Sequence, residues 1–291
     1  MSIRNAVLLG FAVMCQAAHT KAQVPVPEME ALTIWGNARR GDAAPGFSRQ
    51  ALTGDDLLAN PALTLDDILR RAGGFSLFRR TSSRVANPTI QGPSLRNFAP
   101  NGAGRALVLR DGVPQNDPFG GWVYWGALPG AQFGRVGLLP GQGAADYGNG
   151  ALTGAILLDT RGTAERGAFR LAGGTLDSAD GFGMLSIDLG PHSAPRRTSL
   201  SVTGFGITSD GHLLVSPEIA GPADVTASLD SFGANATLAH KLPTGIEASF
   251  HIAGYHEERT NGFDLAPNST RLIDASLTLT SDRDVSLPWR L

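Results

Sequence analysis

The feature that most narrows the fold is a period of two, held over long stretches in the second half of the chain. Leu200, Val202 and Gly204 alternate with Ser201, Thr203 and Phe205, and Ala234, Ala236 and Leu238 alternate with Asn235, Thr237 and Ala239. Ile246, Ala248, Phe250 and Ile252 alternate with Glu247, Ser249 and His251, and Ile273, Ala275, Leu277 and Leu279 with Asp274, Ser276, Thr278 and Thr280. A period of two describes a strand with two unlike faces. Each run covers about nine to fourteen residues, whereas ordinary strands hold about five or six. Tilted strands of about nine to eleven residues cross a bilayer. The connections agree: Gly190–Arg196 and Pro243–Gly245 are tight, while Asp210–Ala227 and Glu258–Ser269 are longer. Short turns at one end and long loops at the other are the arrangement of an outer-membrane barrel. A soluble β-sandwich also alternates, but strand length and turn asymmetry favour the barrel. No stretch reaches the roughly eighteen consecutive apolar residues of a spanning helix.

The other end of the chain sets the compartment. Arg4, an apolar run from Ala6 to Cys15, and small or polar residues through Ala22 follow the order of a secretory leader. Residues 1–22 are therefore expected to be a signal peptide cleaved after Ala22. A lipoprotein signal around Cys15 is the rival, and Met14 is too bulky for it. Removing Arg4 and Lys21 takes the formal charge from -2 to -4, and the sole cysteine leaves with them. The mature chain has no disulfide and no Cys-based metal site. It shows no basic block, so nucleic acid is not an expected partner.

Residues 23–50, rich in Pro and Gly at both ends, read as a tether holding one short extended stretch, Glu30, Ala31, Leu32, Thr33, Ile34 and Trp35. Thr53–Leu58 starts a small helix with Thr53 or Asp55 as cap. Thr64–Arg71 is a second, with Thr64 as cap, Asp66 and Asp67 in its first turn, Arg70 and Arg71 in its last, and Gly73-Gly74 ending it. Short strands are expected at Phe75–Phe78, Thr89–Gln91, Ala106–Leu109, Val136–Leu139 and Ala155–Leu158. Residues 51–162 thus form a compact α+β unit of ordinary domain size, and residues 163–291 the long strands.

Several ordered strings in this unit carry a resemblance. They are Leu65-Asp66-Asp67-Ile68-Leu69, Thr89-Ile90-Gln91-Gly92, Val108-Leu109-Arg110-Asp111-Gly112-Val113-Pro114, Asn116-Asp117-Pro118-Phe119 and, most specific, Ala144–Ile156 with its Asp146-Tyr147-Gly148 core. Together, over Leu57 to Thr160, they resemble the plug domain of TonB-dependent outer-membrane receptors. The resemblance implies an α+β plug followed by the N-terminal strands of a large antiparallel transmembrane β-barrel, incomplete here. It implies uptake across the outer membrane of a scarce nutrient such as an iron–siderophore complex or cobalamin. Its partners would be the periplasmic TonB protein, a small-molecule nutrient or metal chelate, and outer-membrane lipid. By position, Glu30–Trp35 resembles the segment by which such receptors pair with TonB. The family pattern places an acid and an Arg near the strand before the Tyr-Gly loop, where this chain has Gly137 and Pro140-Gly141. A charge contact between plug and wall is not expected from those positions.

Two stretches are candidate substrate contacts. Arg79, Arg80 and Arg84 could hold an anionic chelate bidentately, or be solvated or paired with acids of the barrel. In Leu109–Trp125 a turn-rich loop carries Asn116, Phe119, Trp122, Tyr124 and Trp125 although the chain has only four Trp and three Tyr. These aromatics either face the substrate or pack on the plug core and barrel wall. Enzyme-like strings fail on context: Gly102-Ala103-Gly104 and Gly148-Asn149-Gly150 lack a strand–loop–helix unit with a following acid. Gly92-Pro93-Ser94 lacks the second Gly of a nucleophile elbow. His251 and His256 stand on opposite faces of a straight strand. No cofactor, metal or enzymatic activity is expected.

Such receptors close around a plug with about 22 strands, and Gly167–Leu291 holds six, with the start of a seventh at Val285. Six strands leave open edges that lipid does not tolerate, and Pro288 interrupts the last one. The sequence therefore reads as a fragment or a truncated gene product. The alternative reading is an exported β-sandwich binding or adhesion module without a pore, and a periplasmic enzyme would need a catalytic cluster.

Overall fold

The computed structural model describes residues 50–62, 64–78, 81–87, 89, 92–96, 105–141, 147, 149–162, 166–190, 198–243 and 245–281. The expected leader, the tether up to residue 49 with Glu30–Trp35, Arg79, Arg80 and the strand start at Val285 lie outside the described residues.

The first half builds a small mixed sheet with two short helices. Strands β1 (Gln50–Thr53), β4 (Ala106–Arg110), β5 (Val113–Pro114), β6 (Phe133–Pro140) and β7 (Gly154–Thr160) form one sheet in the order β1-β6-β7-β4-β5. Only β4 and β7 run parallel. A separate pair joins β2 (Phe75–Leu77) to β3 (Pro93–Leu95). Helix α1 (Gly54–Ala59) is started by a reciprocal cap: the Thr53 hydroxyl accepts the Asp56 N–H while Asp56 accepts the Thr53 N–H at 3.1 Å. Leu57, Leu65, Ile68, Leu69, Trp125, Phe133 and Ile156 lie in one buried core between helices and sheet. At about 25 cal/mol per Å², that burial outweighs any local preference of such short elements.

Three details depart from the sequence reading. Helix α2 covers only Leu65–Leu69, and Thr64 makes no side-chain cap. Its hydroxyl donates to Asp67 instead, at 3.2 Å, because Asp66 is turned inward to Ser83. Of the strand expected at Thr89–Gln91 only Thr89 is among the described residues; it is in a 3-10 turn, and its N–H donates to the Asn87 side chain at 3.0 Å, a local turn bond that competes with a ladder. The strand forms a few residues later, where Ser94 pairs with Ser76. Gln50–Thr53 and Val113–Pro114 pair as strands that the sequence reading did not anticipate.

The second half is a six-stranded antiparallel meander: β8 (Gly167–Gly173), β9 (Ala179–Asp188), β10 (Thr198–Ser209), β11 (Leu229–Lys241), β12 (Ile246–Arg259) and β13 (Asn268–Ser281), each paired with the next in sequence. Apart from the seven residues of β8, the strands have the expected length. Strand β12 reaches Arg259 and β13 begins at Asn268, so the loop expected from Glu258 to Ser269 is shorter, 260–267. It meets the 210–228 connection through Val225 N–H on Gly262 O and Asp264 N–H on Ala223 O. Among the described residues β8 and β13 each have one partner strand, so the sheet is not closed.

Register sorts the side chains onto two faces. Phe169, Leu171, Leu185, Val202, Phe232, Phe250, Ile252, Ile273 and Leu277 are all exposed, and they share one face. Such a contiguous apolar face marks a contact with lipid or protein. The opposite face carries Thr203, Asn235, Thr237, His251, Glu257 and Thr278, and the plug, not a second sheet, packs against it: Ala131 of the plug clusters with Phe182 and Met184. His251 and His256 fall on opposite faces, as the strand period requires, His256 lying beside Phe232.

Candidate functional site

Between plug and sheet the loop 111–125 is built as a rigid knot. Asp111 and Gly112 take φ of 48° and 82°, the two left-handed positions of a tight hairpin turn that Asp-Gly suits. The Asp111 carboxylate accepts the Thr160 N–H at 2.9 Å. Asn116 staples the loop: its oxygen accepts Val108 N–H at 2.7 Å and its amide donates to Ala106 O and Gly121 O. Asp117 accepts the N–H groups of Phe119 and Gly120.

That frame distributes the aromatics. Phe119 stands at the tip, 96 % exposed. The Trp122 ring lies on Gly120 so closely that any Cβ there would fall 1.6 Å from it. Tyr124, half-buried, lines a cleft of about 250 Å³ between the loop and strands β10–β13, shared with Asn116 and Asp117. Trp125 is wholly buried in the plug core, edge-on to Phe75 at 5.9 Å. The turn at Asp117–Gly120 and the 3-10 turn that begins at Trp125, fixed by the Asn116 staple, make the division, so the crowded aromatics serve different surfaces. Arg84 is half-buried in the 81–86 loop, and its Nε has no hydrogen-bond partner among the described residues.

A second, wider cleft of about 650 Å³ lies nearer the short turn at 242–245. Its lining is largely polar, with hydroxyls and amides such as Thr237, Ser249, Ser276 and Thr278 of the sheet and Gln132 of the plug beside ionisable groups such as Arg161, Lys241, Glu247 and His251.

Polar contacts between plug and wall, one of them an ion pair, are present at positions other than Gly137 and Pro140. Arg110, nearly buried, pairs with Asp274 of β13 at 2.6 Å. Arg259 of β12 donates to the carbonyl of Ser83 at 3.0 Å. Asn235 donates to Gln132 Oε1 at 3.1 Å. The sequence reading singled out none of these residues for such contacts, although each shows a signal. Arg110 is the one charge in the strand Ala106–Arg110, closing the apolar run Ala106–Leu109, and Asp274, Glu257 and Arg259 occupy the polar phase of their strands.

Within the plug, Asp66 is fully buried and accepts both the N–H and the hydroxyl of Ser83, at 3.1 and 2.5 Å. Burial, then the neighbouring Asp67 carboxylate, pushes the Asp66 carboxyl above its ordinary range, and the Ser83 bonds oppose the shift. Among the described residues no cluster of His, Cys, Asp or Glu could hold a metal ion.

Comparison with known proteins agrees with this architecture. A family model described as the TonB-dependent Receptor Plug Domain matches residues 44–155. No curated protein matches the sequence. Among solved structures, the ferric enterobactin receptor PfeA of Pseudomonas aeruginosa (mutant G324V) is 17% identical, with a TM-score of 0.58 over 81% of this chain and 38% of its own. The siderophore receptor PirA of Acinetobacter baumannii is 16% identical, with a TM-score of 0.60 over 81% of this chain and 38% of its own. The copper transporter OprC is 14% identical, with a TM-score of 0.60 over 81% of this chain and 35% of its own. The chain thus spans well under half the length of these receptors. TonB-dependent receptors are outer-membrane β-barrel proteins, and residues 44–155 of this chain are identified as a plug domain of that family, packed in the structure on the polar face of antiparallel strands.

Proposed function

We propose that the chain supplies the plug and first wall strands of a receptor for energised uptake of a scarce nutrient, with a metal chelate such as an iron–siderophore complex as the first candidate and cobalamin as the second. The observation that carries this is a plug packed on the polar face of a sheet whose other face is apolar and exposed. That arrangement suits lipid outside and an aqueous interior within. Similar structures include a ferric enterobactin receptor, a siderophore receptor and a copper transporter, which favours a metal-containing cargo.

In this reading residues 1–22 are the leader, 23–50 the tether, 51–162 the plug and 163–291 wall strands. Cargo meets Phe119 and Tyr124 on the rigid loop, with Arg79, Arg80 and Arg84 offering guanidinium groups to an anionic chelate. Asn116 acts by fixing the loop, and Trp122 and Trp125 by holding its base. The periplasmic TonB protein engages Glu30–Trp35 and supplies the free energy, so the chain needs no nucleotide site. Deleting residues 28–36 from the full-length receptor is expected to abolish uptake of labelled cargo while leaving its binding to cells intact. Unchanged uptake overturns the coupling.

A further inference from the structure

Tyr255, Glu257 and Arg259 are alternate residues of β12, all three buried on the face toward the plug. Glu257 lies between the other two and takes both: its Oε2 accepts the Tyr255 hydroxyl at 2.7 Å and its Oε1 accepts Arg259 Nε at 2.8 Å. The two ends reach different parts of the plug. Arg259 Nη1 donates to the carbonyl of Ser83 at 3.0 Å, one residue before Arg84. The Tyr255 hydroxyl stands over Gly126, where a Cβ would fall 2.3 Å from its oxygen and 3.2 Å from Cζ. Gly126 is the middle of the 3-10 turn Trp125–Ala127, two residues after Tyr124. Each plug segment has its own mooring inside the plug. Loop 81–86 is held on helix α2 through Ser82 to Asp67 and Ser83 to Asp66, and the 116–125 segment on β4 through Asn116. The wall end is equally fixed. Strand β12 is paired along these residues with both β11 and β13. The Tyr255 ring stacks at 6.3 Å and 22° on Phe205, which lies across Gly233 between them.

We infer that Tyr255, Glu257 and Arg259 form a clamp that holds the two candidate cargo-contacting segments of the plug, 81–86 with Arg84 and 119–126 with Phe119 and Tyr124, in one fixed relative position, and that the three are positioning residues for the cargo site. The inference rests on the proposed uptake function and names the wall residues that set its site. Two groups on separate loops hold one ligand well only when their spacing is settled before it arrives, since otherwise binding meets the entropic cost of ordering them. Glu257 suits the linking part. Its carboxylate is buried and shared, so neither end can let go without leaving a buried charge short of a partner. Gly126 suits the other, because any larger residue would drive the Tyr255 hydroxyl off its seat and off Glu257. A contact that only filled space would use the apolar packing seen at Ala131, Phe182 and Met184, not a chain of directed bonds ending on two segments.

The test is hydrogen–deuterium exchange of the full-length receptor in detergent micelles, without cargo or TonB, resolved by segment. Gly126→Ala alters only the 119–126 side, yet exchange at 81–86 is expected to rise by about tenfold, the size of one charge-assisted hydrogen bond. Adding Tyr255→Phe removes the clashing oxygen and is expected to bring 81–86 most of the way back, within about threefold of the parent. Glu257→Gln weakens the link between the ends and is expected to raise exchange in both segments. Strands β6 and β7 report on the plug as a whole. A rise confined to 119–126 in Gly126→Ala overturns the clamp, and so does a rise that extends equally to β6 and β7, which is general loosening. Affinities for ferric enterobactin and cobalamin, the two probes, are measured on the same proteins. The positioning role predicts about tenfold weaker binding in Gly126→Ala and recovery in the double variant. Unchanged affinity beside raised exchange at 81–86 overturns that role. Failure of the uptake reading, through a parent that takes neither probe or uptake that ignores deletion of residues 28–36, leaves the exchange result and the clamp standing.

Discussion

Arg259 Nη1 donates to the backbone carbonyl of Ser83 at 3.0 Å, joining wall and plug across 176 residues of chain. Ser83 turns its N–H and hydroxyl the other way, to Asp66. Arg259 is held in turn by Glu257, with Nε on Oε1 at 2.8 Å, and the Tyr255 hydroxyl donates to Glu257 Oε2 at 2.7 Å. Tyr255 rises so far toward the plug that a side chain at Gly126 would meet its oxygen at 2.3 Å. The 81–86 loop, directly after Arg79 and Arg80, is therefore latched on both sides, to a plug helix and to the barrel wall.

Breaking one arm of that latch is expected to cost more than removing it whole. Arg259 and Glu257 are 4% and 2% exposed, so Arg259→Ala strands a buried carboxylate, a loss of about 3–5 kcal/mol. Arg259→Met with Glu257→Gln removes both charges and is expected to recover most of it. Denaturant midpoints of the three proteins, with the rate of proteolysis at the 81–86 loop, read the effect. A double variant as unstable as the single one would mean that the charge pair is not the issue and the Ser83 contact is.

Asp66 gives the plug a pH dependence of defined sign. Its carboxyl is raised above 3.8 in the folded chain, so the folded state binds its proton more tightly than the unfolded one. That contribution to stability is fully present below the unfolded value and is lost as pH rises through the folded value. Asp66→Asn can keep both Ser83 bonds, with the amide donating to the hydroxyl. It is expected to flatten the decline in stability above about pH 4 and to be at least as stable as the parent at neutral pH. Asp66→Ala leaves the Ser83 N–H unpaired and costs about 1–3 kcal/mol at any pH. Urea titrations across that pH range decide it, and identical slopes for parent and Asn variant reject the assignment.

How legible this was in the sequence depended on the range of the interaction concerned. The period of two in Ile246–Ile252 or Ile273–Leu279 is set by which face each side chain takes, and the register of β12 on β13 follows it with no shift. The capping box at Thr53 is equally local. Thr64 misled because a partner 17 residues away, Ser83, draws Asp66 inward and rearranges the turn. Arg110–Asp274 spans 164 residues, and no spacing rule joins such positions; only the presence of a lone Arg in an apolar strand hinted that it had a distant partner. The crowded aromatics of 119–125 could be seen as unusual, but their division between tip, cleft and core needed the Asn116 staple.

If the apolar face of β8–β13 meets lipid, its tolerance to charge will differ from that of the face behind it. Ile273 is 87% exposed on that face, in the row of Gly204, Ala234 and Gly254 midway along the strands. Ile273→Lys is expected to cost about 2–4 kcal/mol in a bilayer. Thr278→Lys, which points into the wide cleft, is expected to be nearly neutral. The share of each full-length variant recovered folded in outer membranes, scored by heat-modifiable mobility, separates them. Equal recovery of both means that lipid does not cover this face.

Phe119 and Trp125 lie six residues apart and are expected to fail in opposite ways. Trp125 has no exposed surface and packs edge-on to Phe75, so Trp125→Ala opens a cavity and costs about 3–5 kcal/mol. Phe119, 96% exposed on a loop whose backbone is fixed by Asn116 and Asp117, contributes almost nothing to folding. An exposed aromatic on a rigid support has already met the entropic cost of ordering that a flexible contact would meet on binding. Phe119→Ala is therefore expected to leave the unfolding midpoint unchanged and to weaken cargo binding by about tenfold, the size of a single aromatic anchor. Equilibrium binding of a ferric siderophore panel and of cobalamin to the full-length receptor, parent and variant side by side, measures this. Unaltered affinity for every cargo that the parent binds removes Phe119 from the site and leaves the Tyr124 cleft as its remaining aromatic surface.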